Sequence, residues 1–499
     1  MLLCSTLKRR AFFMFVLLPH ASRIVLSASF GFVCGVAFAS FFSMSIDVLF
    51  FVISVISVLV GTLFYRERYV WTVLVFLGFF AIAACITYVH KENFDDVILQ
   101  NKGIKKGVAR VVGDVNQGNY DTKVFVQFVG EDFTTVLTDE KHTLLTHGDT
   151  INLVCNRVVV ESFEGFDYQK YLAMRGVYLE CEKSEYNIIG HEDDVISKIA
   201  QFRVYMEGIV NEIIPAPESA LANGLLFGGS ARLSQKIQDD FSQTGMTHIV
   251  AVSGYNVSII IAVVMGLLIF IGFHRRWAVW GAIFSVIFFV VLIGFPSSGI
   301  RAAIMGIMVL IAAMFGRVTY AYGAIIFSGA IMLAFNPLLL RYDIGFQLSF
   351  LATLGIVAIY PVIERIFIKK DMAFGLVEVL LLTLSAQIFV VPIIAYHFHT
   401  FSIVSLLVNV LVLPIIPFTM LFIVLMIPLH FIFYPFAVFC GWIAYAFLTY
   451  EVFIISFFAH LSFSSIDVKN FSVIWMTAYY IFVGSVVAYV NHKSVLYEK

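Results

Sequence analysis

Long apolar runs recur along almost the whole chain, separated by connections of a few polar residues, and this alternation lapses only between residues 90 and 245. A helix needs about 17 to 25 mostly apolar residues to cross roughly 30 Å of hydrocarbon. The pattern predicts spans at 24–43, 46–65, 69–89, 253–273, 277–295, 300–316, 322–340, 344–362, 374–396, 402–429, 431–458 and 473–490. That is about twelve crossings by hydropathy. The stretch 402–429 carries Pro414, Pro417 and Pro428. It reads either as a kinked span or as a re-entrant pair, because proline frees backbone carbonyls that something else must satisfy.

The polar interval changes period. "GVARVVGDV", "TKVFVQFVG", "FTTVLTD", "DTINLVCNRVVVES" and "GVYLECEKSEYNII" alternate or are β-branched, with Gly, Asn and Asp between them. Five such strands predict a small barrel or sandwich, an OB-like barrel among the possibilities. From residue 191 to 247 the spacing turns helical, and the expectation is amphipathic helices lying at the membrane interface before the fourth span.

Composition agrees with a membrane protein: of 499 residues 60% are hydrophobic and 13% charged. A soluble chain of this size needs far more polar surface. Lys and Arg flank one set of loops: Lys8, Arg9, Arg10, Arg23, Arg66, Arg68, Arg275, Arg276, Arg317, Arg365, Lys369, Lys370 and Lys493, against Arg301, Arg341 and Lys469 on the other. Basic loops stay inside. Both termini are therefore expected in the cytoplasm and residues 91–245 outside it, with 11–18 part of an uncleaved first anchor. Of six cysteines, Cys155 and Cys181 fall in the exported strands. An oxidising exterior permits a bridge between them, and two buried thiols are the alternative. There is no C-x-x-C pair or His/Cys cluster, so no metal and no cofactor is expected.

Polar side chains inside apolar runs are costly, about 2.5 to 3.5 kcal/mol for a central charge on insertion scales, and they usually face a cavity or one another. "GMTHIVAVSGYNVSII" (245–260) gathers His248, Ser253, Tyr255 and Asn256 at the entrance of a span, and Gly245 and Gly254 can break the helix there. Broken helices are tolerated where the freed backbone faces protein or water. Arg301 opens the next span but one after Pro296-Ser297-Ser298-Gly299, where a helix N-terminus and a guanidinium together suit a phosphate. Asp343, Gln347 and Gln387 add polar groups further along, and His397, His399 and Asn409 sit near span ends. These are too dispersed for a catalytic triad and fit a polar-lined route. Interhelical hydrogen bonds for Asn256 and Gln347, snorkelling for Arg301 and an Arg341–Asp343 pair are the competing readings. Ser253 lacks the first glycine of a G-x-S-x-G elbow, since Ala251 stands there, and no nucleophile has a base beside it, so no enzyme is expected.

"LLFGGSARLSQKIQDDFSQTGMTHIVAVSGYNVSII" resembles the core signature of the ComEC-type competence proteins, membrane channels for DNA uptake in natural transformation. "GFPSSGIRAAIMGIMVLIAAMFGR" (294–317) and "NPLLLRYDIGFQLSFLATLGIVAIYPVIE" (336–364) agree with it, and "HGDTINLVCNRVVVESFEGFDYQKYLAMRGVYLE" is similar to the end of the family's exported OB-type domain. The resemblance implies a polytopic α-helical membrane protein: 1–90 membrane spans, 91–190 an exported OB-like domain, 191–247 interfacial helices, 248–430 the channel core, and 431–499 the last spans and a short cytoplasmic tail. It implies a channel carrying single-stranded DNA across the cytoplasmic membrane, with His248, Ser253, Tyr255, Asn256, Arg301, Asp343, Gln347 and Gln387 as candidate conduit residues. A transporter of a small solute or lipid is the alternative.

Two features depart from the family pattern. Tyr255-Asn256 stands where many members have a small or apolar residue followed by His. Many members also continue into a metallo-β-lactamase-like domain with an H-x-H-x-D-H run, which this sequence lacks, so the expectation is either a nuclease on a separate chain or none at all, with a DNA receptor as a further candidate partner. An inward phosphate works against about 2.3 kcal/mol per 100 mV. With no G-x-x-x-x-G-K-[ST] loop in the chain, a cytoplasmic ATP-driven helicase-like motor is the expected partner. The formal charge of −1 gives no general attraction for DNA, which leaves local groups such as Lys102, Lys105, Lys106 and Arg110.

Overall fold

The computed structural model describes residues 20–42, 54–56, 70–113, 116–117, 122–139, 145–160, 167–192, 194–229, 233–250, 253–316, 320–367, 375–468 and 471–496. Among them seven helices are long and apolar enough to cross a membrane, or eight if Ser405–Val412 and Ile416–Ile432, bent by 46°, make one broken span. Three other expected spans fall on shorter apolar helices, Gly254–Phe270, Ala321–Phe335 and Val473–Val487. The expected span 46–65 lies outside the described residues except for 54–56. The bend at 413–415 follows from Pro414 and Pro417, which cannot donate to the helix ladder.

The strands of the polar interval form one closed sheet. They are β1 (Gly103–Val111), β2 (Asn116–Gln117), β3 (Thr122–Phe128), β4 (Thr134–Asp139), β5 (Asp149–Val158) and β6 (Val177–His191). Five run β1-β5-β6-β4-β3 and return to β1, with β2 added beside β3. β4 and β6 are parallel and the other pairs antiparallel. Strict alternation along β3 and β5 turns Val124, Val126, Phe128, Ile151 and Leu153 into the barrel. Closure removes the edges that would otherwise pair with other chains. Arg157 is 3% exposed, with its guanidinium 4.9 Å from the Phe128 ring and 5.6 Å from that of Phe133. It donates to both carboxylate oxygens of Glu131 at 2.8 and 2.9 Å, and Lys105 reaches the same carboxylate at 3.1 Å.

The chain divides into two compact units, Met1–Asn93 with Val318–Thr400 and Val468–Lys499, and Phe94–Arg317 with Phe401–Asp467. In the first unit, His20–Phe41 lies against Val70–Asn101 so closely that a Cβ on Gly31 or Gly35 would run into the carbonyl oxygens of Phe76 and Phe80. Small residues four apart let two backbones approach in this way.

The second unit contains the barrel and a helical core. In that core Val195–Ile213, Glu218–Phe227 and Gln235–Gln243 pack with the helices of 405–459 around Leu221, Leu225, Phe241, Val408, Met420 and Leu448. Here the structure departs from the sequence expectation. Glu218–Phe227 is buried along nearly its whole length and shows no exposed polar face, because most of ESALANGLLF is apolar and its polar groups are enclosed too, Glu218 accepting from Thr449 and Asn223 donating to Asn211. Gln235–Gln243, with Ile237 and Phe241 inward and Gln235, Lys236 and Gln238 not buried, is amphipathic as expected.

Candidate functional site

In the second unit the helix that begins at Thr247 stops at Val250, and a new one starts at Gly254 with Ser253 at its N-cap. Ser253 makes no capping bond. Its hydroxyl donates to Asn256 Oδ1 at 3.2 Å instead. Asn256 is 2% exposed and its amide donates to the carbonyl of Leu225 at 2.9 Å, tying Gly254–Phe270 to Glu218–Phe227. The hydrogen-bond reading of Asn256 thus has a named partner. His248 is exposed and its Nδ1 donates to the carbonyl of Gly245 at 3.1 Å, and Tyr255 is exposed as well.

Arg301 lies beside this break. Its side chain is buried, and a Cβ built on Gly254 would sit 3.5 Å from a guanidinium nitrogen and 3.4 Å from Ala302 Cβ. The glycine therefore brings a cation onto the first turn of Gly254–Phe270. Arg301 is also in the first turns of its own helix, Ser297–Met314, whose N-cap Pro296 offers no side-chain bond. Two helix N-termini, each with partial positive charge, thus meet a guanidinium, and the arrangement favours an anion. Phe295, just before that helix, adopts φ 58°, an uncommon conformation for a bulky residue that turns the chain there.

Asp343, Gln347 and Gln387 belong to the first unit. Gln347 donates to the carbonyls of Leu340 and Arg341 at 3.0 Å each, finishing the short helix Leu339–Tyr342. Asp343 is buried at the junction of that helix with Ile344–Phe367, and Gln387 is half-buried within Gly375–Phe398. Arg341 donates to the carbonyl of Ser40 and lies over the rings of Phe41 and Tyr342. The Arg341–Asp343 pair is thus replaced by a bond to a helix end. Among the described residues no three of His, Cys, Asp and Glu stand together as a metal site.

In the barrel, Cys155 and Cys181 are joined, with 5.4 Å between their Cα atoms. The basic groups of β1 are largely neutralised: besides Lys105 with Glu131, Arg110 pairs with Glu192 at 3.0 Å and Asp194 at 2.7 Å. Strand alternation also puts Lys105 on the face opposite Lys106 and Arg110. The four basic residues of 102–110 do not make one patch.

A family model described as "Competence protein" matches residues 225–493, more than half of the chain. The chain belongs to the competence protein family. It is also 26% identical over 256 residues to "ComE operon protein 3" of Bacillus subtilis (strain 168), a match covering 51% of this chain but only 32% of that protein's length. No solved structure matches. This is a multi-pass membrane protein of the competence family, and the family segment encloses every candidate residue from His248 to Gln387.

The same segment holds polar groups that the sequence reading passed over. Glu451 is 1% exposed within Tyr434–Ala459, and Thr419 donates to one of its oxygens at 2.6 Å while the other has no hydrogen-bond partner. On the same helix Ser456 donates to Asp240 at 2.5 Å and Thr449 to Glu218 at 3.3 Å. A lone acid inside "AYAFLTYEVFIISFF" was the available signal for Glu451. Nothing in the sequence announces that Asp240 and Glu218, from the polar interval, end buried against that helix.

Proposed function

We propose that this protein carries single-stranded DNA across the cytoplasmic membrane in natural transformation, as a channel and not as an enzyme. The observation that carries the reading is the guanidinium of Arg301 set on the first turn of Gly254–Phe270, inside the family segment. A cation on the positive end of a helix is a poor arrangement by itself and a good one for a phosphate passing by. Tyr255, exposed one residue further on, offers a ring on which a base can stack.

In this reading the chain makes twelve crossings with both termini inside and 91–245 outside. The domain bounds are those expected from sequence, with Glu218–Phe227 packed into the helical core, and the barrel, with its parallel β4–β6 pair closing five strands, is OB-like. A helicase-like motor pulls from the cytoplasm, with a DNA receptor and a nuclease as further partners.

The test is entry of labelled DNA into the cytoplasm of cells carrying Arg301→Ala, Arg301→Lys or Tyr255→Ala at normal protein level. Entry should fall at least tenfold in both alanine variants while DNA still accumulates outside the membrane. Arg301→Lys keeps the charge without the planar fork and should fall in between. Normal DNA entry in both alanine variants would remove these residues from the route. Normal entry on deletion of the gene, with loss of uptake of a small solute or lipid, would establish the transporter alternative.

A further inference from the structure

Glu451 is a buried acid that the DNA route leaves unused, and it stands where a span breaks. Ser405–Val412 and Ile416–Ile432 meet at a bend of 46°. Two bonds fix that bend against Tyr434–Ala459. The Tyr450 hydroxyl donates to the carbonyl of Leu411 at 3.5 Å, before the break, and Thr419 donates to Glu451 at 2.6 Å, after it. The break therefore faces Tyr450 and Glu451.

The oxygens gathered there outnumber the donors. Pro414 and Pro417 have no N–H to give to the carbonyls of Val410 and Leu413. Asn409 is 4% exposed and its amide donates to the Ser405 hydroxyl at 3.4 Å, while its Oδ1 has no hydrogen-bond partner. Glu451 shows the same excess at its second oxygen. The Thr419 hydroxyl oxygen also lies 3.3 Å from the carbonyl of Ile415. Buried acceptors without donors are costly and require a water or an ion.

Charge narrows the choice. Among the described residues no ion pair balances Glu451, and a lone carboxylate inside hydrocarbon is expensive unless a cation shares its site. Glu218 and Asp240, the other acids against this helix, are bonded to Thr449 and Ser456, about 160° and 140° round the helix from Glu451. One carboxylate balances one monovalent cation. The C-terminal end of Ser405–Val412 adds partial negative charge, and half-helix C-terminal ends with unwound carbonyls suit a sodium ion inside a membrane. We propose that Glu451, Thr419, Asn409 and the proline-freed carbonyls of Val410 and Leu413 bind one sodium ion, which pins the bend of the broken span. A site of oxygens alone needs no His or Cys and so leaves no spacing motif in the sequence. None of its side chains is a conduit candidate, so it stands or falls separately from the DNA route.

The experiment uses the full chain purified in an uncharged detergent, with sodium chloride exchanged for choline chloride at constant total salt. The thermal midpoint of the parent should climb by several degrees as sodium rises, because the ion binds the fold and not the unfolded chain. Radioactive sodium should bind the parent saturably. Glu451→Gln, similar in shape but uncharged, should bind sodium at least tenfold more weakly and lose the rise in midpoint. Asn409→Leu, of similar size but without the amide oxygen, should bind it at least fivefold more weakly. Asp240→Asn, on the far side of the helix, should respond to sodium as the parent does. A parent indifferent to sodium overturns the proposal. So does a sodium response kept by Glu451→Gln or, should that variant fail to fold, by Asn409→Leu. A midpoint that follows pH but not sodium assigns a proton to Glu451 and overturns it as well. In each of these cases DNA entry that depends on Arg301 leaves the channel reading standing.

Discussion

At the scale of the residue, the polar side chains of the membrane half divide by what they touch. Asn256 and Gln347 are occupied by backbone carbonyls of neighbouring helices, and their worth is that of ordinary interhelical bonds. Arg301 lies against a helix end, where a charge has consequences for anything that passes. Glu451 is a third kind, a buried carboxyl whose single hydrogen bond comes from Thr419. Removing that donor strands a buried acceptor, which costs about 1 to 3 kcal/mol. Thr419→Ala should therefore lower the thermal midpoint of the purified protein in detergent by several degrees, while Thr419→Ser, which keeps the hydroxyl, should stay close to the parent. Equal midpoints would mean that Glu451 draws nothing from Thr419. The sequence flagged Asn256, Gln347 and Arg301 because a polar residue in an apolar run is visible by itself. It was silent on their partners, since Leu225 and Gly254 become neighbours of Asn256 and Arg301 only through packing.

At the scale of the element, two closures hold the barrel and its register. Cys155 and Cys181 lie on adjacent strands, 26 residues apart in sequence, and cross-linking such a loop is worth about 3 kcal/mol in the chain-entropy model. Reduction should loosen β5 and β6 first, seen as faster amide exchange there, and alkylation of unreduced protein should leave both sulfurs unlabelled. Labelled thiols at 155 and 181 in native protein would remove the bridge.

The second closure is the Glu131 carboxylate. Burial works against its charge, but its hydrogen bonds and ion pairs with Arg157 and Lys105 outweigh this and hold it below its ordinary value. Because its affinity for protons is lower in the fold than in the unfolded chain, it stabilises the barrel at neutral pH. That contribution fades as the pH falls from the ordinary carboxylate range through the lowered value. Barrel amides of the parent should lose protection over that acid window, and Glu131→Gln should be less protected at neutral pH and flatter with pH. An identical pH profile for the two proteins would assign the acid sensitivity elsewhere. Alternation made the strands legible in the sequence. The pairing of Glu131 with Arg157 was not, because it joins the turn after β3 to the end of β5.

At the scale of the whole molecule, the prediction concerns sidedness. If the basic loops are inside, a cysteine at Val129, which is 75% exposed on the barrel, should react with an impermeant maleimide on intact cells. One at Ser494 should react only after the membrane is opened. This should be done with Cys4, Cys34, Cys85 and Cys440 replaced and the barrel pair kept. Labelling of both or neither in intact cells would overturn the orientation.

The sequence by itself determined the class of molecule, the barrel strands and most of the helices, because those follow from local periodicity: about 17 or more apolar residues for a span, alternation for a strand, proline for a bend. It could not decide which helix is buried, since Glu218–Phe227 and Gln235–Gln243 sit in one polar interval and both pack against Tyr434–Ala459, and only Glu218–Phe227 is also enclosed by Val195–Ile213 and Ile416–Ile432. Nor could it decide which cations are neutralised, because Lys105 and Arg110 meet their acids at 131, 192 and 194. Periodicity is a property of neighbours in the chain. Charge neutralisation, burial and a guanidinium on a distant helix end are properties of neighbours in space, and only the tertiary structure supplies those.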